Sequence, residues 1–456
     1  MINGKIELYE NFIKFPNIDK NSVHAQLVYI TPNAGSIIEH AGRTCYRSFN
    51  NIKENSYKTF ISGIVKSGHE SVIEHSNMVY IILKPQHKDM KQDSFNINRY
   101  LINLMMYNGL LKVSENQAFY VISGNIRMFK DLVREYTKIK AYNNKVNPLI
   151  DDILASFYTL PEYFFIDMIN DGTMDASKFK LDPHFKESNN ALNEKALNKY
   201  VSVINHDTFQ FSVRGFTTHK EGEPDTVHRI SIPNAVLRKH NRITLIIDAP
   251  RYITHQIVRH RLASYSQASQ RYCLEEGLNV YVPEAITENP ASNATANMLY
   301  KNALTTYSEL IDQGIKKEDA RSVLTNAQMS TIVMTATVEE FDHFVAVRAD
   351  KAAQNFIRDM IAVPLKKYLE QYYSTENKSA HSTKISYADT TSKYHRKYHN
   401  GNQGAKKTAG NKKYTNNSKK TNPNQANLKA VKVNKPNHKP NKNKPGNGKS
   451  NNRKNK

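Results

Sequence analysis

The sequence predicts an α+β fold, and three observations carry that reading. Runs rich in β-forming apolar residues recur at Leu27–Ile30, in the second half of Gly68–Leu83, and at Arg242–Asp248. Stretches with helical apolar spacing lie between and after them, at Ile97–Asn108, Gly124–Val133 and Ala294–Gln313. Helix start and stop residues flank several of these stretches, and no internal repeat is present.

Taken in order, helical patterns follow the first strand and lead to Gly68–Leu83. Asn190–Asn205 reads as a further helix. After the strand Arg242–Asp248, Asp248 reads as an N-cap with Pro250 in the first turn, opening a helix from Tyr252 to about Ala263. On that helix Gln256, Arg259 and His260 share one face at i, i+3 and i+4. The run Arg259–Tyr272 thus starts on a helix and ends in a loop. Ala294–Gln313 is an amphipathic helix closed by Gly314, and a short helix follows at Lys317–Leu324. Thr337-Val338-Glu339-Glu340 has the form of a capping box. It opens a long helix with Phe341, Phe344, Val345, Phe356 and Ile357 facing inward, bent or broken at Pro364.

Composition bounds the rest. The 456 residues are 39% hydrophobic and 10% aromatic, enough for a real core in two or three domains. No run of eighteen apolar residues occurs, so no membrane span is expected. The first residues lack the apolar stretch of a signal peptide. Two cysteines, Cys45 and Cys273, fit a reducing compartment rather than a disulfide scaffold. They are not spaced as a metal site, and no metal is expected. The formal charge is +22, yet residues 401–456 alone carry 16 Lys or Arg and no Asp or Glu. Subtracting those 16 leaves +6 for the first 400 residues. The tail, 376–456, is rich in Asn, Lys, Gly and Pro and is expected to be disordered. It could contact phosphate backbones without reading sequence, or serve solubility alone.

The chemistry concentrates in Arg259-His260-Arg261-Leu262-Ala263-Ser264-Tyr265-Ser266-Gln267-Ala268-Ser269-Gln270-Arg271-Tyr272. Arginine suits bidentate recognition of phosphate and stays charged. Four further segments accompany it: Gly42-Arg43-Thr44-Cys45-Tyr46, Gly68-His69-x-Ser71-x-x-Glu74-His75, Gly314-Ile315-x-x-Glu318-x-Ala320-Arg321-x-x-Leu324, and His343-Phe344-x-x-x-Arg348 with Ala353-Gln354-x-x-Ile357-Arg358. In this order they resemble the flavin-dependent thymidylate synthase family, over residues 41–83 and 242–370. Taken singly, His69 also fits a turn cap and Glu74 a surface ion-pair partner. Arg321 and Arg348 likewise fit as partners of Glu318 or Asp350.

The resemblance implies a core formed by residues 1–84 and 241–375, split by an insertion, 85–240, of unknown role. It also implies a cytoplasmic enzyme (in the host cytoplasm if the source is viral) acting as a homotetramer with active sites shared between subunits. The implied reaction is reductive methylation of dUMP to dTMP with 5,10-methylenetetrahydrofolate, NADPH and FAD. By position, nucleotide binding falls on Gln256, Arg259, Gln267, Ser269, Arg271, Arg321 and Arg348, with Arg348 favouring the uracil N3 anion. Flavin contacts fall on His69, Ser71, Glu74, Arg259, His260, Arg261, Gln267, Thr337 and His343. No protein nucleophile is implied. The sequence departs from the family pattern at several points: Thr337 stands for a usual Asn, Glu339 for a basic residue, Gln267 for Glu, Ser266 for Asn and Thr325 for Pro. Two other readings stay open, a flavin- or nucleotide-binding relative without synthase activity and a nucleic-acid-binding protein acting through its tail.

Overall fold

The computed structural model describes residues 12–15, 25–83, 111–115, 119–143, 148–182, 192, 194–207, 215–220, 223–229, 234–277 and 279–373. The tail 376–456 and the helical pattern Ile97–Asn108 lie outside these residues. Helices accompany three sheets in which all strand pairs but one are antiparallel, so the class is α+β.

Strands β1 (Phe12–Phe15), β2 (Ala25–Ile30), β3 (Met78–Leu83), β4 (Lys112–Glu115), β5 (Phe119–Gly124), β6 (Lys195–Ala196), β7 (Val201–His206), β8 (Gly215–Lys220), β9 (Glu223–Arg229), β10 (Arg242–Pro250), β11 (Ala263–Gln267) and β12 (Met329–Thr337) follow in chain order. The four-stranded sheet runs β2-β3-β5-β4 and the five-stranded sheet β11-β12-β10-β7-β6. A three-stranded sheet, β1-β8-β9, contains the one parallel pair among the described residues, β1 with β8. The stretch 85–240 thus supplies strands to all three sheets.

Each larger sheet buries one core. The four-stranded sheet packs against helices Ala34–Tyr46, Ser56–Lys66, Ile126–Asn143 and Pro148–Phe157 through Ile38, Ile61, Tyr80, Ile122, Phe129 and Phe157. The five-stranded sheet packs against helices Val338–Arg348 and Val363–Tyr373 through Leu245, Ile247, Ile332, Met334, Phe341, Phe344 and Leu365. Alternation along β12 explains the division. Ile332, Met334 and Ala336 enter the second core, while Val333 enters the first and Thr335 meets His75.

Between the sheets lies a buried polar seam. His75 hydrogen-bonds Thr335 Oγ1 through Nδ1 (2.8 Å) and Ser266 Oγ through Nε2 (2.9 Å). His240 binds Ser123 through Nδ1 (2.7 Å) and Ser114 through Nε2 (2.8 Å), and its carbonyl accepts from Asn77 Nδ2 (2.9 Å). The Asp207 carboxylate accepts from Tyr29 (3.0 Å), Thr31 (3.3 Å) and Asn205 (2.8 Å). Buried polar groups are costly unless paired in this way. Burial, with the Arg242 charge, pushes the His75 imidazole down to about 3; burial, with the charges of Lys239, Lys112 and Arg242, holds His240 well below its ordinary value.

Several sequence expectations change. Asp248 and Pro250 finish β10 rather than open the helix, because the antiparallel ladder to β12 runs through Pro250. The Asp248 carboxylate accepts from Thr331 (2.5 Å), and Pro250 itself precedes the helix Arg251–Ile257. That helix stops at Ile257, and Ala263–Gln267 forms an edge strand instead of continuing it. Asn190–Asn205 is not helical where described, since pairing with β10 draws Val201–His206 into a strand. The capping box is half made. Thr337 Oγ1 accepts from the Glu340 amide (3.3 Å), but the Glu340 carboxylate turns to Lys112 (2.6 Å). The last long helix breaks at Ala349–Asn355, ahead of a π-helical stretch Phe356–Ala362. Pro364 lies inside the continuous helical run 355–373, just after its π-helical part, and the Met360 carbonyl four residues before it accepts from Asn198 Nδ2 (2.7 Å). Helix Pro290–Asp312 ends as expected, with Gly314 at φ 83°.

The seam histidines, together with His206 between the Tyr368 (2.9 Å) and Tyr373 (3.0 Å) hydroxyls, make stability acid-sensitive. His75, His240 and His206, which burial lowers to about 4, are neutral in the fold, and each takes up a proton on unfolding below about pH 6.5. Stability therefore falls as pH drops from 6.5 toward 4, more steeply than the roughly 1.4 kcal/mol per pH unit of one proton. Urea unfolding at pH 6.5, 5.5 and 4.5 reads this slope, and His75→Gln lowers it by about one proton. A flat profile, or an unchanged slope in the variant, contradicts the neutral seam.

Candidate active site

The central run is positioned by a helix, a turn and a strand. The helix Arg251–Ile257 carries Gln256, and residues 258–262 form the turn. Tyr265 pins that turn by donating its hydroxyl to the carbonyls of His260 (2.7 Å) and Ile257 (3.0 Å). Arg259 and Arg261 are left exposed, and His260 is half-buried against Phe344. On β11, Ser264 and Ser266 point into the fold, while Gln267 donates to Thr254 Oγ1 and Ser330 Oγ, both at 3.0 Å.

Arg348, at the end of the helix Val338–Arg348, closes onto this turn. It donates from Nε to His260 Nε2 (3.0 Å), from Nη1 to Gln256 Oε1 (3.3 Å) and from Nη2 to the Gln256 carbonyl (3.1 Å). Gln256 in turn donates to Gln354 Oε1 (2.8 Å). Among the described residues no carboxylate pairs with Arg348, so Asp350 is not its partner. His260 must accept at Nε2, which fixes the tautomer with its proton on Nδ1. Burial, followed by the charges of Arg348 and His343, pushes His260 down to about 4. His343 is exposed, with its ring 6.0 Å from that of His260.

A second cluster holds Ser269, Arg271 and Arg321. The Ser269 amide donates to the Cys45 carbonyl (3.0 Å), tying the run to the segment Gly42–Tyr46. Arg271 Nη2 reaches Glu318 Oε2 (3.4 Å), and Arg321 Nε donates to the Glu318 carbonyl (3.1 Å). Tyr46 and Tyr272 lie 5.2 Å apart, ring to ring, at 44% and 50% exposure. Such a pair offers aromatic surface to a planar ligand. Arg47 beside it pairs with buried Glu275 (2.9 Å). Cys45 is half-buried and Cys273 buried, and burial pushes both thiols up.

The third cluster is the turn Glu70–Glu74. His69 and Ser71 are exposed, whereas Glu74 accepts from Arg127 Nη1 at 2.6 Å. Lys130, fully buried, is held by Asp167 (2.8 Å), the Phe164 carbonyl (2.9 Å) and Glu70 (3.4 Å), and Arg134 also reaches Glu70 and Asp167. Residues 126–167 therefore buttress this turn. Thr337 is buried as a helix cap, and Glu339 lies 3.4 Å from Lys112. Sequence reasoning missed Lys112, Arg127, Arg47 and the tyrosine pair, because their partners are more than fifty residues away. No hydrogen bond or ion pair among the described residues joins the Glu74 and Arg348 clusters.

The model of the thymidylate synthase complementing protein family matches residues 26–85 and 234–372. The flavin-dependent thymidylate synthase of Thermococcus kodakarensis is 31% identical over 167 residues, which cover 35% of this chain and 68% of that protein. The chain belongs to the flavin-dependent thymidylate synthase family. The Thermococcus onnurineus member is 35% identical over 127 residues, 27% of this chain and 52% of its own length. The chain thus spans about half the length of the first curated relatives it matches. A crystal structure of the UMP/dUMP methylase PolB from Streptomyces cacaoi with 5-Br dUMP aligns at 25% identity and a TM-score of 0.27, covering 29% of this chain and 67% of that one. The family's two matched blocks contain all three clusters, while Lys112, Arg127 and Lys130 fall in the unmatched stretch between them. No helix among the described residues is long and apolar enough to cross a membrane.

The tautomer assignment gives a direct test. His260 should stay neutral between pH 5.5 and 8, its ring proton shifts flat in NMR. A transition near pH 6.5 would show that Arg348 does not use Nε2 as its acceptor.

Proposed function

We propose that this chain methylates dUMP to dTMP, taking a methylene group from 5,10-methylenetetrahydrofolate and releasing tetrahydrofolate, with NADPH as reductant and FAD as prosthetic group. One observation carries the reading: Arg348 is oriented by three hydrogen bonds to neutral groups, and no carboxylate among the described residues pairs with it. A fixed cation of this kind favours the anion of an acidic ring N–H and leaves the ring electron-rich. Gln256 and the neutral His260 hold the guanidinium plane and Phe344 backs the imidazole, so the charge is aimed before substrate arrives.

The exposed donors suit a flavin dinucleotide. Arg259 and Arg261 are exposed and match a diphosphate in charge. His69, Ser71 and His343 add exposed polar groups. The reduced flavin supplies the hydride when bound. Glu74 and Thr337 contribute differently in this chain, since Arg127 and the helix cap already engage them. Arg271, Ser269 and Arg321 suit the nucleotide phosphate. The homotetramer with shared sites is part of the proposal, and it would let clusters that one chain keeps unconnected meet across subunits.

Purified protein should be yellow and form dTMP. Arg348→Lys keeps a charge but loses the planar fork. The variant should retain flavin and lose turnover by on the order of a hundredfold or more. Near-normal turnover would remove Arg348 from its role. A yellow wild-type protein that makes no dTMP would favour a flavin-binding relative without synthase activity, and a colourless one that binds DNA or RNA would favour the nucleic-acid reading.

A further inference from the structure

The helix Ile126–Asn143 carries two stripes. Ile126, Phe129, Val133 and Tyr136 enter the first core. Beside them Arg127, Lys130 and Arg134, at i, i+3 and i+7, share a second face. That face grips the turn Glu70–Glu74 at both ends. Arg127 Nη1 donates to Glu74 Oε1 (2.6 Å), and Lys130 Nζ reaches Glu70 Oε1 (3.4 Å). Arg134 donates to both Glu70 oxygens (3.2 and 3.3 Å). The helix is itself fixed at its start, where Asn125 Oδ1 accepts from the Met128 amide (2.7 Å) and the Ile126 amide donates to Ser76 Oγ (3.2 Å).

Lys130 is the centre of the grip. Its ammonium is fully buried and spends its three donors on Glu70, Asp167 (2.8 Å) and the Phe164 carbonyl (2.9 Å). Without it, Glu70 and Asp167 would have to share Arg134, and a buried carboxylate that loses its partner moves toward water. Val72 and Ile73 anchor the underside of the turn in the first core, while His69 and Ser71, on either side of Glu70 in the chain, face solvent. Where Glu70 sits therefore decides where those two exposed groups sit. Arg127, Lys130, Arg134, Phe164 and Asp167 all lie between the two blocks that the family shares, so this grip belongs to the chain's own added residues.

We propose that Lys130 and Arg127 are positioning residues for the flavin: by holding Glu70 and Glu74 they fix the placement of His69 and Ser71, and with it the affinity of the chain for FAD. That the ligand is FAD rests on the function proposed above; that the two cations fix the turn does not. A pH dependence follows. Burial, offset in part by the Glu70 charge, brings the Lys130 ammonium down to about 8, with Arg134, Asp131 and Asp167 the other charges facing it. As pH rises past that value Lys130 releases its proton and its hold on Glu70, and FAD binding weakens. The unfolded chain keeps the proton longer, so the same ionisation makes global stability rise with pH over this window. Affinity and stability thus move in opposite directions.

The experiment uses the full chain: wild type, Lys130→Met, Lys130→Arg, Arg127→Met, and Lys138→Met as a control at an exposed position of the same helix. Protein stripped of flavin is titrated with FAD at pH 7 and pH 9, and amide exchange of residues 69–75 is read without ligand. Lys130→Met should raise the Kd for FAD by about tenfold or more, the loss of a charge-assisted bond, and Arg127→Met by a smaller factor. Both should speed exchange in the turn and leave β12 as in wild type, and Lys138→Met should change neither readout. Lys130→Arg, charged at both pH values, should bind FAD nearly as wild type does at pH 7 and lack the weakening of wild type at pH 9. Should Lys130→Met fail to fold, Arg127→Met carries the comparison, since its side chain is half-buried. Unchanged FAD affinity in both methionine variants overturns the proposal. So does affinity lost only alongside exchange protection throughout the fold, or a wild type that binds FAD equally at both pH values. A wild type that takes up no FAD, with the turn loosened in the variants, removes the flavin reading and leaves the positioning of the turn standing.

Discussion

The contact on which the rest depends is one neutral imidazole. His75 lies at the end of the turn Glu70–Glu74 and reaches Thr335 on β12 and Ser266 on β11. Both partners are hydroxyls, which can donate or accept, so the contacts themselves do not dictate its charge. Burial keeps it neutral. Because Ser266 adjoins Gln267 and Ser269, the same bond that joins the sheets sets the height of β11. Through Tyr265 it also constrains the turn carrying Arg259, His260 and Arg261. Site geometry is thus a consequence of how two sheets meet.

The polar character of this junction also explains the stretch between the matched blocks. Ser114, Ser123 and Asp207 come from that stretch and complete the seam with His240, Tyr29 and Thr31. Arg127, Lys130 and Arg134 brace the turn Glu70–Glu74 from outside. Lys112 meets Glu339 and Glu340 at the start of the helix that ends in Arg348. Glu339 and Glu340 thus share the charge of a lysine from β4. The interposed residues act as support for the site as well as additional fold.

Sequence alone revealed the strongly patterned parts. Leu27–Ile30, Met78–Leu83 and Arg242–Asp248 were visible because apolar β-formers cluster there, and the helix Pro290–Asp312 because Gly314 punctuates it. Strand β11 was hidden, since Ala-Ser-Tyr-Ser-Gln buries serines and its pairing to β12 is non-local. Strand β7 was masked by neighbouring Asn and Lys residues that favour neither state. The ordered motifs located Arg348, Gln256 and His260, yet their mutual hydrogen bonds depend on two helices packing across the second core.

The most direct test of the central claim is a double-mutant cycle between His75 and Thr335, using His75→Gln, Thr335→Val and the pair, with stability measured by urea unfolding at pH 7. A shared buried bond predicts a coupling energy of about 1 kcal/mol or more. Destabilisations that simply add would contradict the account, because the two sheets would then be joined by something other than this histidine.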